Sequence, residues 1–210
     1  MKLDIKHMVL GPVQTNVYFV SNPETKECVI IDPADNAPRI DLAVRKLGVT
    51  PVAILLTHGH FDHITAADEV RKMYGIKIYA LDKEEETLKD PYLNGDARFY
   101  RRRLTLEADV LFHDGDELEF LGEKWKVIWT PGHTAGSCCF YIEAEKVLFS
   151  GDTLFQQSIG RFDMPGGCFE DICHSVREKL FKLPDRTVVF PGHMEETTIG
   201  FERRYNPLAV

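Results

Sequence analysis

Between Thr57 and His63 the chain reads Thr-His-Gly-His-Phe-Asp-His, which places His58, His60, Asp62 and His63 within six residues. Neutral imidazole is the commonest protein ligand for a metal ion, and carboxylate is its usual companion. Packed this closely without a cation, such groups repel one another and any added proton. A strand would set His58, His60 and Asp62 on one face and His63 on the other, and a helix would part His58 from His60. Neither regular form gathers all four, so the segment is expected to be a loop, with Gly59 allowing a tight turn.

Three later segments repeat this arrangement of strand end plus polar side chain. Lys126-Val-Ile-Trp-Thr130 runs into Pro131-Gly-His133, Lys146-Val-Leu-Phe-Ser150 into Gly151-Asp152, and Thr187-Val-Val-Phe190 into Pro191-Gly-His193. A glycine precedes the polar residue each time, leaving room for backbone to pass close to a bulky neighbour. In α/β proteins ligands gather at strand ends, so the four loops are expected to converge. His58, His60, Asp62, His63, His133, Asp152 and His193 then make seven candidate ligands. One catalytic zinc takes about three protein ligands and a water, so seven suit two ions better than one. Asp152 is the natural bridge, because a carboxylate offers two oxygens and an imidazole one free nitrogen. Two adjacent divalent ions can hold a hydroxide between them and polarise the bond it attacks, which implies hydrolysis. Zinc is expected, with iron and manganese also compatible with this donor set.

The elements that must position these residues are legible as apolar runs. Residues 51–56 form an apolar run leading into the first metal loop, and 17–20, 28–31, 52–56 and 77–80 read as strands, with a helix over 37–47. Asp62 suits the start of a helix over 64–74, where free N–H groups and the helix dipole favour a carboxylate, and Gly75 ends it. Strands over 117–120, 125–129, 138–142, 147–150 and 188–190 follow, with a last helix over 169–183. Residues 82–112 break the pattern of short connections. They are expected to form either a helical decoration or a lid with Tyr92, Phe99, Tyr100 or the arginines at the pocket wall. His7, His113 and His174 have no ligand neighbours at metal spacing and read as ordinary polar residues.

The run His58-Gly-His60-Phe-Asp62-His63, with His133, Asp152 and His193 in order downstream, resembles the metallo-β-lactamase-fold hydrolase superfamily over nearly the whole chain. The resemblance implies an α/β fold in four layers, αββα, with two mixed sheets sandwiched between helices. It implies that His58, His60 and His133 hold one ion, that Asp62, His63 and His193 hold the other, and that Asp152 bridges. It also places Asp32, in Val29-Ile-Ile-Asp32-Pro33, as a support for the metal loop rather than a ligand. Within the superfamily, Gly151-Asp152-Thr-Leu-Phe155, Ser158-Ile-Gly-Arg161-Phe-Asp163 and Glu196-Thr-Thr-Ile-Gly-Phe-Glu202 look like the small bacterial members of the glyoxalase II-like group. That implies a thioesterase of hydroxyacylglutathione hydrolase type, with Asp62 also orienting the hydroxide or taking its proton. Arg161 would be the basic residue that receives a substrate carboxylate, or a partner for Asp163 in an ion pair within its loop. Asp163 and Glu195 stand where glyoxalase II enzymes present tyrosines, and Val210 comes before their C-terminal helical domain. A second branch, the iron persulfide dioxygenases, uses the positions of His58, His133 and Asp152 around one iron. Hydrolysis of a different ester or thioester is the remaining alternative.

Bulk composition agrees with one domain over 1–210: the 210 residues are 44% hydrophobic and 28% charged. A net charge of -8 argues against a general nucleic-acid binder, and Arg101-Arg-Arg103 reads as a solvated face. No apolar run approaches the ~18 residues of a membrane span, and residues 1–4 lack a secretory signal. Five cysteines without a CxxC pair read as reduced thiols, and none falls on a ligand position. A cytoplasmic enzyme acting on a small-molecule substrate is therefore expected, without a nucleic-acid or membrane partner.

Overall fold

Alternation along the strands decides the layering. The computed structural model describes residues 2–208; Met1, Ala209 and Val210, the ends of the expected 1–210 domain, lie outside the described residues. The first sheet carries β1 (Asp4–Leu10), β2 (Thr15–Ser21), β3 (Glu27–Ile31), β4 (Thr50–Leu55), β5 (Lys77–Leu81) and β6 (Val110–Phe112), side by side in chain order. Its first three strands are antiparallel, and β3 to β6 are parallel. The second sheet holds β7 (Glu117–Phe120), β8 (Glu123–Trp129), β9 (Cys138–Ile142) and β10 (Val147–Gly151). A small hairpin of β11 (Leu154–Phe155) and β12 (Ser158–Ile159) follows, before β13 (Val188–Pro191) and β14 (Thr197–Thr198) complete the second sheet. Within that sheet β10 and β13 run parallel.

Successive side chains on a strand point to opposite faces, so a strand buried on both sides joins two cores. On β2, Val17 and Phe19 face a core shared with Ile40, Val44 and Val70 of α1 (Ala37–Leu47) and α3 (Ala67–Tyr74). Tyr18 and Val20 face the opposite way, into a core shared with Trp125, Phe140 and Phe149 of the second sheet. The far side of that sheet, through Tyr141, Leu148 and Val189, packs on Val176, Leu180 and Ile199. The result is the expected order of helix, sheet, sheet and helix.

Several expectations need correction. The helix over 64–74 is divided into α2 (Phe61–Ile64) and α3 at Thr65, whose hydroxyl bonds back to the Phe61 carbonyl at 2.6 Å. The Ala66 N–H then leaves the helix for the Pro33 carbonyl at 3.0 Å. Asp62 does not cap this helix: His60 is the N-cap residue, and the Asp62 carboxylate turns instead toward His63 and His193. Residues 82–112 are not wholly a decoration. They hold α4 (Glu85–Lys89) and α5 (Asp96–Phe99), but they end in β6, which pairs with β5. The helix over 169–183 is regular only in α6 (Phe169–His174) and then widens into a π turn over Ser175–Lys179. There Ser175 Oγ donates to the Pro131 carbonyl at 2.8 Å, tying the turn to the loop before His133. Nor is it the last helix, since α7 (Ile199–Tyr205) follows.

Among the described residues no helix is long and apolar enough to cross a membrane, and all five cysteines are free. The aromatic centre between the sheets is the main test of this packing. Phe149 stacks on Trp125 at 5.8 Å and on Phe190 at 5.5 Å, with Tyr18 edge-on at 5.3 Å. Phe149→Ala is expected to cost about 3–5 kcal/mol of unfolding free energy in urea titrations, through lost burial and the cavity left behind. A cost under about 1 kcal/mol would mean that the sheets are held together elsewhere.

Candidate metal centre

The metal loops leave the same end of the sandwich. His58 follows the end of β4, His133 the end of β8, Asp152 the end of β10 and His193 the end of β13. The ligand atoms of His58, His60 and His133 all lie within 4.8 Å of one another, as do those of Asp62, His63 and His193. Asp152 lies between the two groups. Its Oδ2 is 3.5 Å from His133 Nε2 and 3.4 Å from His193 Nε2, and its Oδ1 is 3.4 Å from His63 Nε2. All seven residues singled out in the sequence are thus brought to one place.

Hydrogen bonds on the far side of each ring decide which nitrogen faces inward. A carbonyl only accepts, so His133 Nδ1 donates to Arg161 O at 2.7 Å and His193 Nδ1 donates to Gln14 O at 3.2 Å. His63 Nδ1 donates to Asp32 Oδ2 at 2.9 Å. The Thr57 hydroxyl spends its proton on Asp32 Oδ2 at 2.6 Å, so His58 Nδ1, 3.1 Å away, is the donor to Thr57 Oγ1. In all four rings Nε2 is left facing the centre. His60 aims Nδ1 at the same centre, 2.8 Å from His133 Nε2. His58 Nε2 and Asp152 Oδ1 are buried without a hydrogen-bond partner, an arrangement that costs free energy unless a cation or water completes it. Metal-ligating imidazoles are oriented in this manner by a carboxylate or carbonyl on the outer nitrogen. Asp32 completes a third cluster with His58 and His63, but its oxygens are already taken by the Thr57 N–H, the Thr57 hydroxyl and His63, so it supports the loop.

Glycine is required where the loops cross. A Cβ at Gly192 would collide with Asp152 Oδ1 and lie 2.7 Å from His63 Cε1. Gly151, at φ +49°, would drive one into the Thr57 side chain.

The protonation states favour a cation. Burial, then neighbouring imidazoles, holds His58 well below its ordinary value and pushes His60 down to about 3. Burial lowers His133 too. These three rings are therefore neutral, as ligands must be. In the other half the charges win over burial. Asp152, Asp62 and Asp32 raise His63 well above its usual range, and Asp152 and Asp62 raise His193 to about 10. Burial would raise the two carboxylates, but His63 and His193 hold Asp62 near about 2 and Asp152 well below the usual range. Protons on His63 and His193 here stand in the place that a divalent cation would take.

A cavity of about 490 Å³ opens over this centre, walled by Val13, Phe61, Phe99, Phe155, Met164 and Met194. Phe99 thus brings residues 82–112 to the pocket wall, whereas Tyr92 is exposed and does not line it. Tyr100 and Arg102 line a smaller neighbouring pocket beside Asp62. Arg161 also lines the cavity, but its guanidinium is already paired in bidentate fashion with Asp163, at 2.8 and 3.0 Å.

Sequence reasoning missed several residues that hold the site. Thr15 donates to Asp62 Oδ2 at 3.0 Å, and Asn16 Nδ2 donates to the carbonyls of Pro191 and Met194, each at 3.0 Å. Glu84 is buried beneath two of the metal loops, and burial pushes its carboxyl up to about 7 against the hydrogen bonds from Gly59, Thr134 and Gly136. Nothing in their spacing marks them, since each acts on a loop distant in sequence.

Known proteins share this arrangement. A family model described as the metallo-beta-lactamase superfamily matches residues 10–193. A probable metallo-hydrolase, YqgX of Bacillus subtilis, is 39% identical over 96% of this chain and 95% of its own. The hydroxyacylglutathione hydrolase GloC of Haemophilus influenzae is 33% identical over 98% of this chain and 97% of its own. Among solved structures, the BLEG-1 B3 metallo-beta-lactamase superposes with a TM-score of 0.93 at 44% identity, covering 98% of this chain and 99% of that one. TTHA1623 in a di-iron-bound form gives 0.84 at 34% identity, covering 96% and 98%. With its two mixed sheets between helices and its His and Asp side chains gathered at one end, the chain belongs to the metallo-beta-lactamase superfamily and is a metal-dependent hydrolase.

Proposed function

We propose that this hydrolase is binuclear and cleaves thioesters, in the manner of a hydroxyacylglutathione hydrolase. His58, His60 and His133 would hold one divalent ion, zinc by default, and Asp62, His63 and His193 the other, with Asp152 shared. The position of Asp152 carries this reading: one carboxylate oxygen faces imidazoles of both halves, and the other is buried without a hydrogen-bond partner. A pair of divalent ions, when bound, supplies an acidified water and a Lewis-acid pull on the scissile carbonyl.

The chain's own residues supply the rest. Asp32, Thr57 and the carbonyls of Gln14 and Arg161 fix the imidazoles of His63, His58, His193 and His133 before any ligand arrives. Asp62, held by the Thr15 hydroxyl at the cavity floor, is placed to orient the attacking water. With its carboxyl near about 2 it is a weak proton acceptor, so orientation is its main share. The apolar walls accept the acyl group and limit competing water. GloC, matched over almost its full length, supports thioester hydrolysis, and the di-iron form of TTHA1623 supports two ions. A second reading, amide hydrolysis of a β-lactam, is favoured by the likeness to BLEG-1. A β-lactam tested beside a thioester panel separates the two.

Metal-loaded protein is expected to carry two divalent ions per chain by elemental analysis. Asp152→Ala should fall below one, because both ions lose a ligand, whereas His133→Ala and His193→Ala should each keep one. A single ion in the wild type would favour a mononuclear centre such as that of an iron persulfide dioxygenase. Full retention of metal in Asp152→Ala would overturn the bridge.

Arg161 is the cationic residue at the cavity wall suited to a substrate carboxylate, which must displace Asp163, an exposed partner whose attraction is screened by solvent. Arg161→Ala is expected to raise KM for S-lactoylglutathione by about 10-fold, through loss of a charged hydrogen bond, with kcat unchanged. A neutral thioester should change by less than about 2-fold, since it makes no charged contact there. Equal losses on both substrates would mean that Arg161 only secures its loop.

A further inference from the structure

We propose that Glu84 is the positioning residue of the three-histidine half of the centre, fastening the loop of His58 and His60 to the loop of His133. The proposal rests on the two-ion reading and extends it to a residue outside the ligand set.

Glu84 closes the short turn Asp82–Glu84 after β5 and is 1% exposed. Its Oε1 accepts the Gly59 N–H at 2.7 Å. Its Oε2 accepts the Gly136 N–H at 2.8 Å and the Thr134 hydroxyl at 3.0 Å. Gly59 lies between His58 and His60, and Thr134 directly follows His133, so the carboxylate grips both loops one residue from a ligand. All three neighbours donate, which is the pattern that an ionised carboxylate satisfies and a protonated one disrupts. Two other buried carboxylates, Asp32 and Asp96, have a partner of opposite charge, His63 and Arg102. Glu84 has no Lys, Arg or His partner among the described residues, so its purpose is not an ion pair.

The packing around it excludes larger residues. A Cβ at Gly136 would collide with Glu84 itself, and one at Gly59 would lie 3.2 Å from Glu84 Oε1 and 3.1 Å from Leu88 Cδ2. Both loops therefore close on the carboxylate by way of glycine. Asp32 acts in the same sense, joining Thr57 to His63. Asp32 reaches both halves, His58 through Thr57 and His63 directly, whereas Glu84 grips only backbone and hydroxyl groups beside the three-histidine set, so loss of Glu84 should loosen that half more than the other.

That selectivity is the test. His193→Ala leaves the three-histidine set as the complete site, and His60→Ala leaves the set of Asp62, His63 and His193. Zinc affinity is measured in each background by competition with a chromophoric chelator, with and without Glu84→Gln, which keeps the size but removes one acceptor. Outer residues that orient metal ligands are worth about 10–100-fold in affinity. Glu84→Gln is expected to weaken zinc binding by about that factor in the His193→Ala background and by less than about 3-fold in the His60→Ala background. Thr134→Val, which removes only the hydroxyl donor, should show the same preference with a smaller loss, and it carries the test if Glu84→Gln does not fold. Equal losses in both backgrounds would reduce Glu84 to general stability, and no loss in either would remove it from the centre. If neither background binds zinc although the wild type binds one ion, the two-ion reading fails and this inference falls with it.

Discussion

The structure is organised around an electrostatic constraint: five imidazoles and two carboxylates must crowd together with little water to screen them. Such a group is stabilised by hydrogen bonds on the outer side of its rings and by a cation that balances the centre. The outer bonds are supplied from remote parts of the chain, by Asp32 and Thr57 after β3 and β4, by the Gln14 and Arg161 carbonyls, and by Thr15 at the start of β2. The two sheets must pack face to face for these groups to meet. Asn16 and Tyr18 of the first sheet bond to the Pro191 carbonyl of the second, the residue two before His193. The fold thus holds the imidazoles in place, and the metal completes what the fold leaves unpaired.

The centre was legible in the sequence because its chemistry is dense and local. Thr57-His-Gly-His-Phe-Asp-His63 has no simple use in a strand or a helix, and each later ligand follows a glycine at the end of an apolar run. The interior strands were legible for a similar reason, since burial on both faces leaves continuous apolar segments such as those in β2 and β9. What escaped has long-range or marginal causes. The edge strand β1 is mostly exposed and shows no clear alternation, and β14 has two residues. The break between α2 and α3 comes from the bond of the Ala66 N–H to Pro33, far back in the sequence. Glu84 sits in an acidic run that reads as a helix start, and only the meeting of three distant segments shows that it is buried.

Membership of the superfamily accounts for the metal chemistry, and a separate set of residues walls the cavity over the centre. Those walls come from segments outside the sandwich: Val13 before β2, Phe99 of α5, and Phe155 to Met164 after β10. Among these mostly apolar walls stands the Arg161 guanidinium, paired with Asp163. The backbone carbonyl of Arg161 also holds His133, so this segment of the cavity wall is joined directly to the metal centre.

Two ions sharing Asp152 are the core of the proposed chemistry. The most direct measurement is a crystal structure of the metal-loaded protein with anomalous scattering collected at the metal edge. Two peaks about 3.5–4 Å apart are expected, with an oxygen of Asp152 on each, and with Asp32 still bonded to Thr57 and His63. One peak at full occupancy, or a second peak coordinated by Asp32, would contradict it.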